Sequence, residues 1–244
     1  MRILAKLEIK NNYVIKPRQF EGLRRVGNPL ELAKSYYEQN IDELIISDPV
    51  ASLYNRSNLF NIISNCSEEI FVPICVGGGI DSLCDIRKLL HNGADKVFIN
   101  SASFDNPNLL KDATDCFGSQ SIVASIEAKL AKNNEYQVYR GNGKINTKIS
   151  LQSWLDILST KNIGEIMITS IDNDGMQKGI DLNLLKFAAQ RVSVPLIYSG
   201  GYSQSVSAPI HGILGYSDGL AVASALHYRK TSVYQIRNSL EGKR

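Results

Sequence analysis

Two glutamates in matching surroundings are the residues of this chain best suited to chemistry. Glu8 lies in the segment 7–10, and Glu127 lies in a similar segment, 126–129, about 120 residues further on. Each carboxylate interrupts an apolar run, where an ionised group is costly unless it is paired or reaches solvent. One explanation is a facing pair of acid and base groups, each held by one half of the protein. The structural alternative is a salt bridge to a neighbouring lysine such as Lys10, Lys16 or Lys129.

The similarity between the two halves of the chain extends beyond these segments. Segment 43–46 matches 165–168, the glycines at 77–79 match those at 200–201, and 101–102 matches 224–225. A repeat of this length indicates two large fused halves rather than a solenoid of short units. We therefore expect one domain over 1–244, built from half-barrels at roughly 1–118 and 119–244.

Short apolar runs alternate with helical stretches along the chain. Asn28 and Pro29 predict the start of the first helix, and we expect Asp81, Asp105 and Asp181 at later helix N-caps. Eight β-then-α units without a flexible linker predict a (β/α)₈ barrel of the α/β class, and a doubly wound open sheet is the alternative. The predicted parallel strands are 3–9, 43–48, 71–76, 96–100, 122–127, 165–170, 194–199 and 220–223.

Composition excludes several classes of protein. The 244 residues and 43% apolar content suit one α/β barrel, and a net charge of +3 without a long basic run predicts no nucleic-acid partner. No apolar run approaches the roughly 20 residues that span a membrane, so we expect a cytoplasmic protein with no membrane partner. The four cysteines and three histidines lack the spacing of disulfide or metal motifs. We expect reduced thiols, no metal and no cofactor.

Glycines and small polar residues follow the strands in both halves. In a (β/α)₈ barrel the active site forms at the carboxyl ends of the strands, where backbone N–H groups of such loops can hold phosphate. Glycine also occurs in tight turns for steric reasons alone. The first predicted cradle contains Gly78, Gly79, Asn100 and Ser101, and the second contains Gly200, Gly201, Ala223 and Ser224. Two cradles predict a substrate with a phosphate at each end.

The turn after the sixth predicted strand is rich in polar residues. Thr169, Asp174 and Gly175 lie there and are candidates for substrate contact, with loop capping as the alternative. At the opposite ends of the strands stand four charged residues of alternating sign, which permit a closed ring of ion pairs. Such a ring is either a structural plug or a gate over a central passage. Its predicted members are Arg2, Glu43, Lys96 and Glu165.

Over essentially its whole length, the chain resembles the HisF family, the cyclase subunit of imidazole glycerol phosphate synthase. The matching segments are 27–34, 76–80, 93–97, 117–120, 164–166, 169–172 and 174–175. This family is a (β/α)₈ barrel in a glutamine amidotransferase complex, and it receives ammonia from a HisH-type glutaminase subunit docked at its base. The resemblance implies that the four charged residues are the ammonia gate and that Asp95 lies at the subunit interface.

The resemblance also implies a substrate and a reaction. The family's substrate carries two phosphates, and the reaction adds ammonia, cleaves the adduct in a lyase step and closes an imidazole ring. Glu8 and Glu127 stand where the family has two catalytic aspartates, and Lys16 matches its active-site lysine, so these three are the candidate catalytic residues. The longer side chains matter because a misplacement of about 1 Å can cost roughly 10²-fold in rate. Tyr202 stands where the family has small residues, so its ring could reshape the second cradle.

Segments 16–20, 25–29 and 70–74 are more similar to one branch of this family, the WbuZ-type proteins, which pair with a glutaminase in the amidation of surface sugars. Together with the two glutamates, they favour a glycosyl amidation paralogue, with the cyclase of histidine biosynthesis as the alternative. A non-catalytic activator of the glutaminase would keep the base of the barrel and lose its mouth. A related single-chain isomerase shares the barrel and a diphosphate substrate, but it has no need of an ammonia gate.

Overall fold

The computed structural model describes residues 1–19, 21–49, 57–204 and 210–242. Within them, the helices are α1 (Pro29–Glu38), α2 (Ser57–Glu69), α3 (Leu83–His91), α4 (Ala102–Asp105), α5 (Leu109–Phe117), α6 (Leu151–Ser159), α7 (Leu182–Ala189), α8 (Ser224–His227) and α9 (Val233–Leu240), with 3₁₀ turns at Ser119–Ser121 and Ile210–Ile213. The strands are β1 (Arg2–Lys10), β2 (Tyr13–Arg18), β3 (Glu21–Gly27), β4 (Glu43–Ser47), β5 (Ile74–Gly77), β6 (Lys96–Ile99), β7 (Ile122–Leu130), β8 (Tyr136–Arg140), β9 (Ile145–Ser150), β10 (Glu165–Ser170), β11 (Leu196–Ser199) and β12 (Gly219–Val222).

Eight of these strands form a closed parallel barrel. Their order is β1, β4, β5, β6, β7, β10, β11 and β12, and β12 pairs again with β1. The (β/α)₈ prediction is therefore confirmed, and the open sheet is excluded. The third strand starts at residue 74 rather than at 71, because Phe71 is 77% exposed and Pro73 has no N–H to donate to the sheet.

Two antiparallel hairpins extend the barrel, and sequence reasoning did not predict them. The first, β2–β3, pairs with β1 and places Ile15 opposite Glu8. The second, β8–β9, pairs with β7 and places Tyr139 opposite Glu127. They occupy equivalent positions in the two halves, in keeping with the internal repeat. The half-barrel bounds at 1–118 and 119–244 remain a prediction.

The barrel interior follows from the two-residue alternation of its strands. On β1, residues of even number point inward, so that Arg2, Leu4, Lys6 and Glu8 succeed one another from the base to the mouth. Above the base lies an apolar belt with one buried residue from every strand of the barrel, and a larger apolar core fills the space between strands and helices. The belt consists of Leu4, Ile45, Cys75, Phe98, Val123, Met167, Ile197 and Ala221.

Helix caps agree only partly with the sequence predictions. Asn28 caps α1 and Asp181 caps α7, each accepting backbone N–H hydrogen bonds as predicted. The predictions for Asp81 and Asp105 were wrong. Ser82 caps α3, and Asp105 is the last residue of α4. Among the described residues, every helix is too short or too polar to cross a membrane.

Candidate active site

The four charged residues at the base of the barrel form a closed ring. Arg2 Nη1 lies 2.7 Å from Glu43 Oε2, and Lys96 Nζ lies 3.1 Å from both Glu43 Oε2 and Glu165 Oε2. Arg2 also pairs with Glu165, so each carboxylate contacts both cations. This confirms the predicted ring of alternating charge at the starts of β1, β4, β6 and β10.

The two carboxylates of the ring are buried, whereas its two cations are partly exposed to solvent. Glu43 is buried, and burial raises its pKa although Lys96 and Arg2 act to lower it. Burial alone would lower the pKa of Lys96, but Glu43 and Glu165 outweigh it and raise the pKa. The side chain of Arg2 is 32% exposed and that of Lys96 is 19% exposed. The ring therefore closes the barrel at its outer surface.

At the opposite end, the mouth of the barrel encloses a cavity of about 250 Å³. The apolar belt separates this cavity from the charged ring. Both candidate glutamates line it, together with polar side chains from several strands. These polar side chains include Lys6, Glu8, Asn100, Glu127 and Thr169.

Glu8 is held in a buried ion-pair network. Lys16 Nζ, from β2, lies 2.6 Å from Glu8 Oε2 and 3.3 Å from Asp174 Oδ2. Lys6 Nζ lies 3.7 Å from the other oxygen of Glu8. Burial would raise the pKa of Glu8, but Lys16 and Lys6 outweigh burial and lower it. The pKa of Lys16 is raised, because Glu8 and Asp174 outweigh the effect of burial. The salt-bridge explanation thus holds for Glu8, with Lys16 as the partner.

Glu127 lies in a different environment. The backbone N–H of Gly143 donates a hydrogen bond of 2.8 Å to Glu127 Oε2, and the described residues contain no ion pair with this carboxylate. Burial raises the pKa of Glu127 to about 7, although the Gly143 N–H, Lys6 and the Asn100 side chain each act to lower it. Lys129, one of the candidate partners, is exposed.

The two hairpins explain this difference between repeat-related glutamates. Lys16 on β2 and Arg140 on β8 occupy equivalent positions beside the two long strands. Lys16 contacts Glu8, whereas Arg140 pairs with Asp105, a largely exposed residue that borders the cavity. The mouth therefore contains one carboxylate held as an anion and one whose pKa lies near neutral pH. Environments that separate two carboxyl groups in this way suit acid and base roles.

The residues of the first predicted cradle do lie together. Gly78, Gly79, Asn100 and Ser101 line the same cavity as the two glutamates. Gly78 has φ +116°, and a Cβ there would lie 2.1 Å from the carbonyl oxygen of Asp48. The backbone therefore requires glycine at this position for steric reasons, whether or not it binds phosphate. The side-chain oxygen of Asn100 is buried without a hydrogen-bond partner in the described structure. It is available to a donor group in the cavity.

The second predicted cradle is much smaller. The cavity that its described residues enclose has a volume of about 10 Å³, roughly the space of one water molecule. Tyr202 lines it and is 6% exposed, in keeping with the expectation that its ring reshapes this site. Thr169 lies apart from it, in the first cavity. The predicted residues that line the second cavity are Asp174, Gly175, Gly200, Gly201, Ala223 and Ser224.

Asp95 lies at the base of the barrel, where an interface was predicted. Its side chain is exposed, and its Oδ2 accepts a 2.8 Å hydrogen bond from the N–H of Ile74. Asp42 and Asp218 make the same contact with the neighbouring strands β1 and β11. Asp95 therefore has a structural contact of its own, and its place in an interface remains a prediction. Among the described residues, no group of His, Cys, Asp and Glu is arranged to hold a metal ion.

Sequence reasoning missed two groups that act on the glutamates. Lys6 points inward on β1 between Leu4 and Glu8, and the alternation along this strand could have revealed it. Gly143 donates its backbone N–H from the turn between β8 and β9, and no pattern in the sequence predicted this contact.

Comparison with known proteins identifies the family. A model of the histidine biosynthesis protein family matches residues 2–232. The imidazole glycerol phosphate synthase subunit HisF of Legionella pneumophila is 48% identical over 201 residues, which cover 82% of this chain and 95% of that protein. The subunits of the same name from Exiguobacterium sp. and Thermococcus onnurineus are each 38% identical, over 97% and 99% of this chain and 92% and 95% of those proteins.

These names favour the histidine-pathway alternative over the glycosyl amidation paralogue, for which the comparisons give no support. The chain belongs to the HisF family, the family of the cyclase subunit of the enzyme imidazole glycerol phosphate synthase.

Proposed function

We propose that this chain is the ammonia-accepting cyclase subunit of imidazole glycerol phosphate synthase. In this proposal a glutaminase partner docks at the base, near Asp95, and a phosphorylated substrate binds at the mouth. One observation supports it best. The same barrel interior has a closed ring of charges at its base and two carboxyl groups in different environments at its mouth. The relatives are named as subunits, which supports a partner.

The interior suits the passage of neutral ammonia. The charged ring of Arg2, Glu43, Lys96 and Glu165 lies on the base side of the apolar belt, and the belt itself contributes no charged side chain. A neutral molecule crosses an apolar belt at much lower cost than an ammonium ion, because an unpaired buried charge is strongly unfavourable. The ring would therefore act as the gate, and the belt would favour ammonia over ammonium.

The two glutamates would divide the proton transfers between them. Glu127, with a pKa of about 7, can take a proton from the attacking nitrogen and return it to a leaving group at neutral pH. Glu8 is held as an anion by Lys16 and can stabilise positive charge that develops on the nitrogen. Lys16 would thus orient Glu8 through their 2.6 Å contact.

The first cradle is the better candidate for a phosphate group. Gly78, Gly79, Asn100 and Ser101 border a cavity with room for substrate, whereas the described part of the second cradle encloses only about 10 Å³. We propose that one phosphate binds at the first cradle. The second phosphate would need the side chain of Tyr202 to move before it could enter.

The first test is an assay of the purified chain with the diphosphate substrate of imidazole glycerol phosphate synthase and excess ammonium. We expect the substrate to be consumed and the imidazole product to appear. A folded chain that binds its glutaminase but gives no turnover would contradict this function. It would support the second candidate, glycosyl amidation, which is favoured by one observation, the glutamates at positions 8 and 127.

Lys96→Ala tests the gate separately from the chemistry. Removing the ammonium group leaves Glu43 and Glu165 with Arg2 alone, so the ring no longer closes. We expect glutamine-dependent turnover to fall by about tenfold, which corresponds to about 1.4 kcal/mol of activation free energy, with little change in turnover on added ammonium. Lys111→Ala, which breaks an exposed ion pair on α5, is the matched control. An equal loss with both nitrogen sources would contradict the gate.

A further inference from the structure

Lys6 is a buried lysine in the middle of the barrel, and it takes no direct part in the proton transfers proposed for the two glutamates. It points inward from β1, one inward position above the apolar belt and one below Glu8. Its side chain is 8% exposed and borders the same cavity as both glutamates. Burial of an ammonium group next to an apolar layer is costly, so its presence there needs compensation from nearby anions.

The compensation comes from the carboxyl groups of the site. Lys6 Nζ lies 3.7 Å from Glu8 Oε1, on the opposite carboxylate oxygen from the one that contacts Lys16. Its charge also acts on Glu127, which belongs to the other half of the barrel. Lys6 is thus a cation whose field reaches both carboxyl groups. The equivalent position in the second half is Ser125, which is uncharged and also lines the cavity.

We propose that Lys6 is a positioning residue of the catalytic site, whose ammonium group contacts Glu8 on the oxygen opposite Lys16 and supplies positive charge to the cavity that Glu8 and Glu127 share. This inference deepens the proposed function and rests on it. It also places the ammonium group beside the route from the charged ring to the mouth, because Lys6 lies between the belt and Glu8 on the inward face of β1.

Other groups around Glu127 also affect its protonation, but they differ from Lys6 in charge. Gly143 donates from the turn between β8 and β9, and the Asn100 side chain acts from the end of β6, but both are neutral. Asp174, after β10, acts in the opposite direction from Lys6. The cavity is also lined by Asp48, Asp81 and Asp105. Of the groups that act most strongly on Glu127, Lys6 carries a positive charge and Asp174 a negative one.

The test is a direct titration of Glu127. The carboxyl carbon of glutamate is labelled with ¹³C, and its NMR shift is followed with pH in the wild type and in Lys6→Met, which keeps the apolar stem. Removal of the cation should raise the titration midpoint of Glu127 by about one pH unit. Lys6→Arg should restore it, and Lys129→Met, which removes an exposed cation from β7, should leave it unchanged.

An unchanged midpoint in folded Lys6→Met would overturn the proposal and leave Lys6 as a structural residue. Lys6→Gln provides the same comparison if the methionine variant does not fold. The pH profile of ammonium-dependent turnover should move in the same direction as the titration. The titration needs no turnover, so it separates a failure of this inference from a failure of the proposed cyclase activity.

Discussion

Replacing Glu127 by glutamine should stabilise the protein at alkaline pH, even though the residue lies in the candidate active site. The ordinary pKa of glutamate is 4.5, and burial raises that of Glu127 to about 7. A difference of about 2.5 in pKa corresponds to about 3 kcal/mol, at 1.36 kcal/mol per pKa unit. The folded state binds this proton more tightly than the unfolded state does. The corresponding stability is fully present below pH 4.5 and is lost as the pH rises through about 7.

Glutamine can occupy the site without a new cost. Its side-chain oxygen can accept the hydrogen bond that the Gly143 N–H now donates to the carboxylate. The Asn100 side chain now donates to Glu127, and if its amide group reverses, its oxygen, which is buried without a partner in the described structure, can accept from the amide of the glutamine. The substitution therefore removes an ionisable group while preserving the local hydrogen bonding. The change in the free energy of unfolding should therefore come only from the loss of the buried carboxylate charge.

Urea denaturation followed by circular dichroism, at pH 5 and at pH 8, measures this effect. We expect Glu127→Gln to increase the free energy of unfolding by about 2–3 kcal/mol more at pH 8 than at pH 5. The other ionisable groups are common to both proteins, so their pH dependence cancels in the comparison. The same variant should lose ammonia incorporation, because the amide cannot exchange a proton at neutral pH. Retention of full turnover would contradict its assignment as an acid/base group.

Glu8→Gln is the repeat-related control. Its effect on the free energy of unfolding should depend on pH in the opposite direction. The pKa of Glu8 is lowered, so its stabilising effect is present above pH 4.5 and is lost as the pH falls below that value. Its removal leaves Lys16 buried with Asp174 alone, and breaking a buried pair costs about 3 kcal/mol. If Glu127→Gln changes stability equally at pH 5 and pH 8, then Glu127 does not titrate between them. The reasoning from burial would then be refuted.

Two further predictions concern the barrel as a whole. Gly78→Ala should destabilise the protein by about 3 kcal/mol or more, since its Cβ would lie 2.1 Å from the backbone of Asp48 at positive φ. Gly215→Ala, also at positive φ but with nothing within 4 Å, should cost only about 1 kcal/mol, and equal changes in melting temperature would contradict the steric argument. Ellman's reagent should modify the exposed thiols of Cys84 and Cys116 rapidly in the native protein, whereas all four cysteines should react after unfolding. Rapid native modification of more than two thiols would show that the buried cysteines are accessible.

The sequence determined most of the barrel and its charged base. Eight apolar runs predicted the eight parallel strands, because a strand buried on both faces is apolar along its whole length. The alternation of charge among Arg2, Glu43, Lys96 and Glu165 predicted a ring that the structure closes. Both results depend on patterns local to a strand, which are apolar runs in all eight strands and a charged first residue in four of them. They needed no knowledge of which strand lies beside which.

The unequal character of the two glutamates was decided only by tertiary structure. The sequence presents Glu8 and Glu127 in nearly the same surroundings. The hairpin β2–β3 places Lys16 against Glu8, whereas the hairpin β8–β9 turns Arg140 away and offers a backbone N–H to Glu127. The charge state of a buried carboxyl group depends on neighbours that are distant in the chain and are brought close by folding. A repeat in the sequence therefore specifies two similar strands, while the packing around each one decides its chemistry.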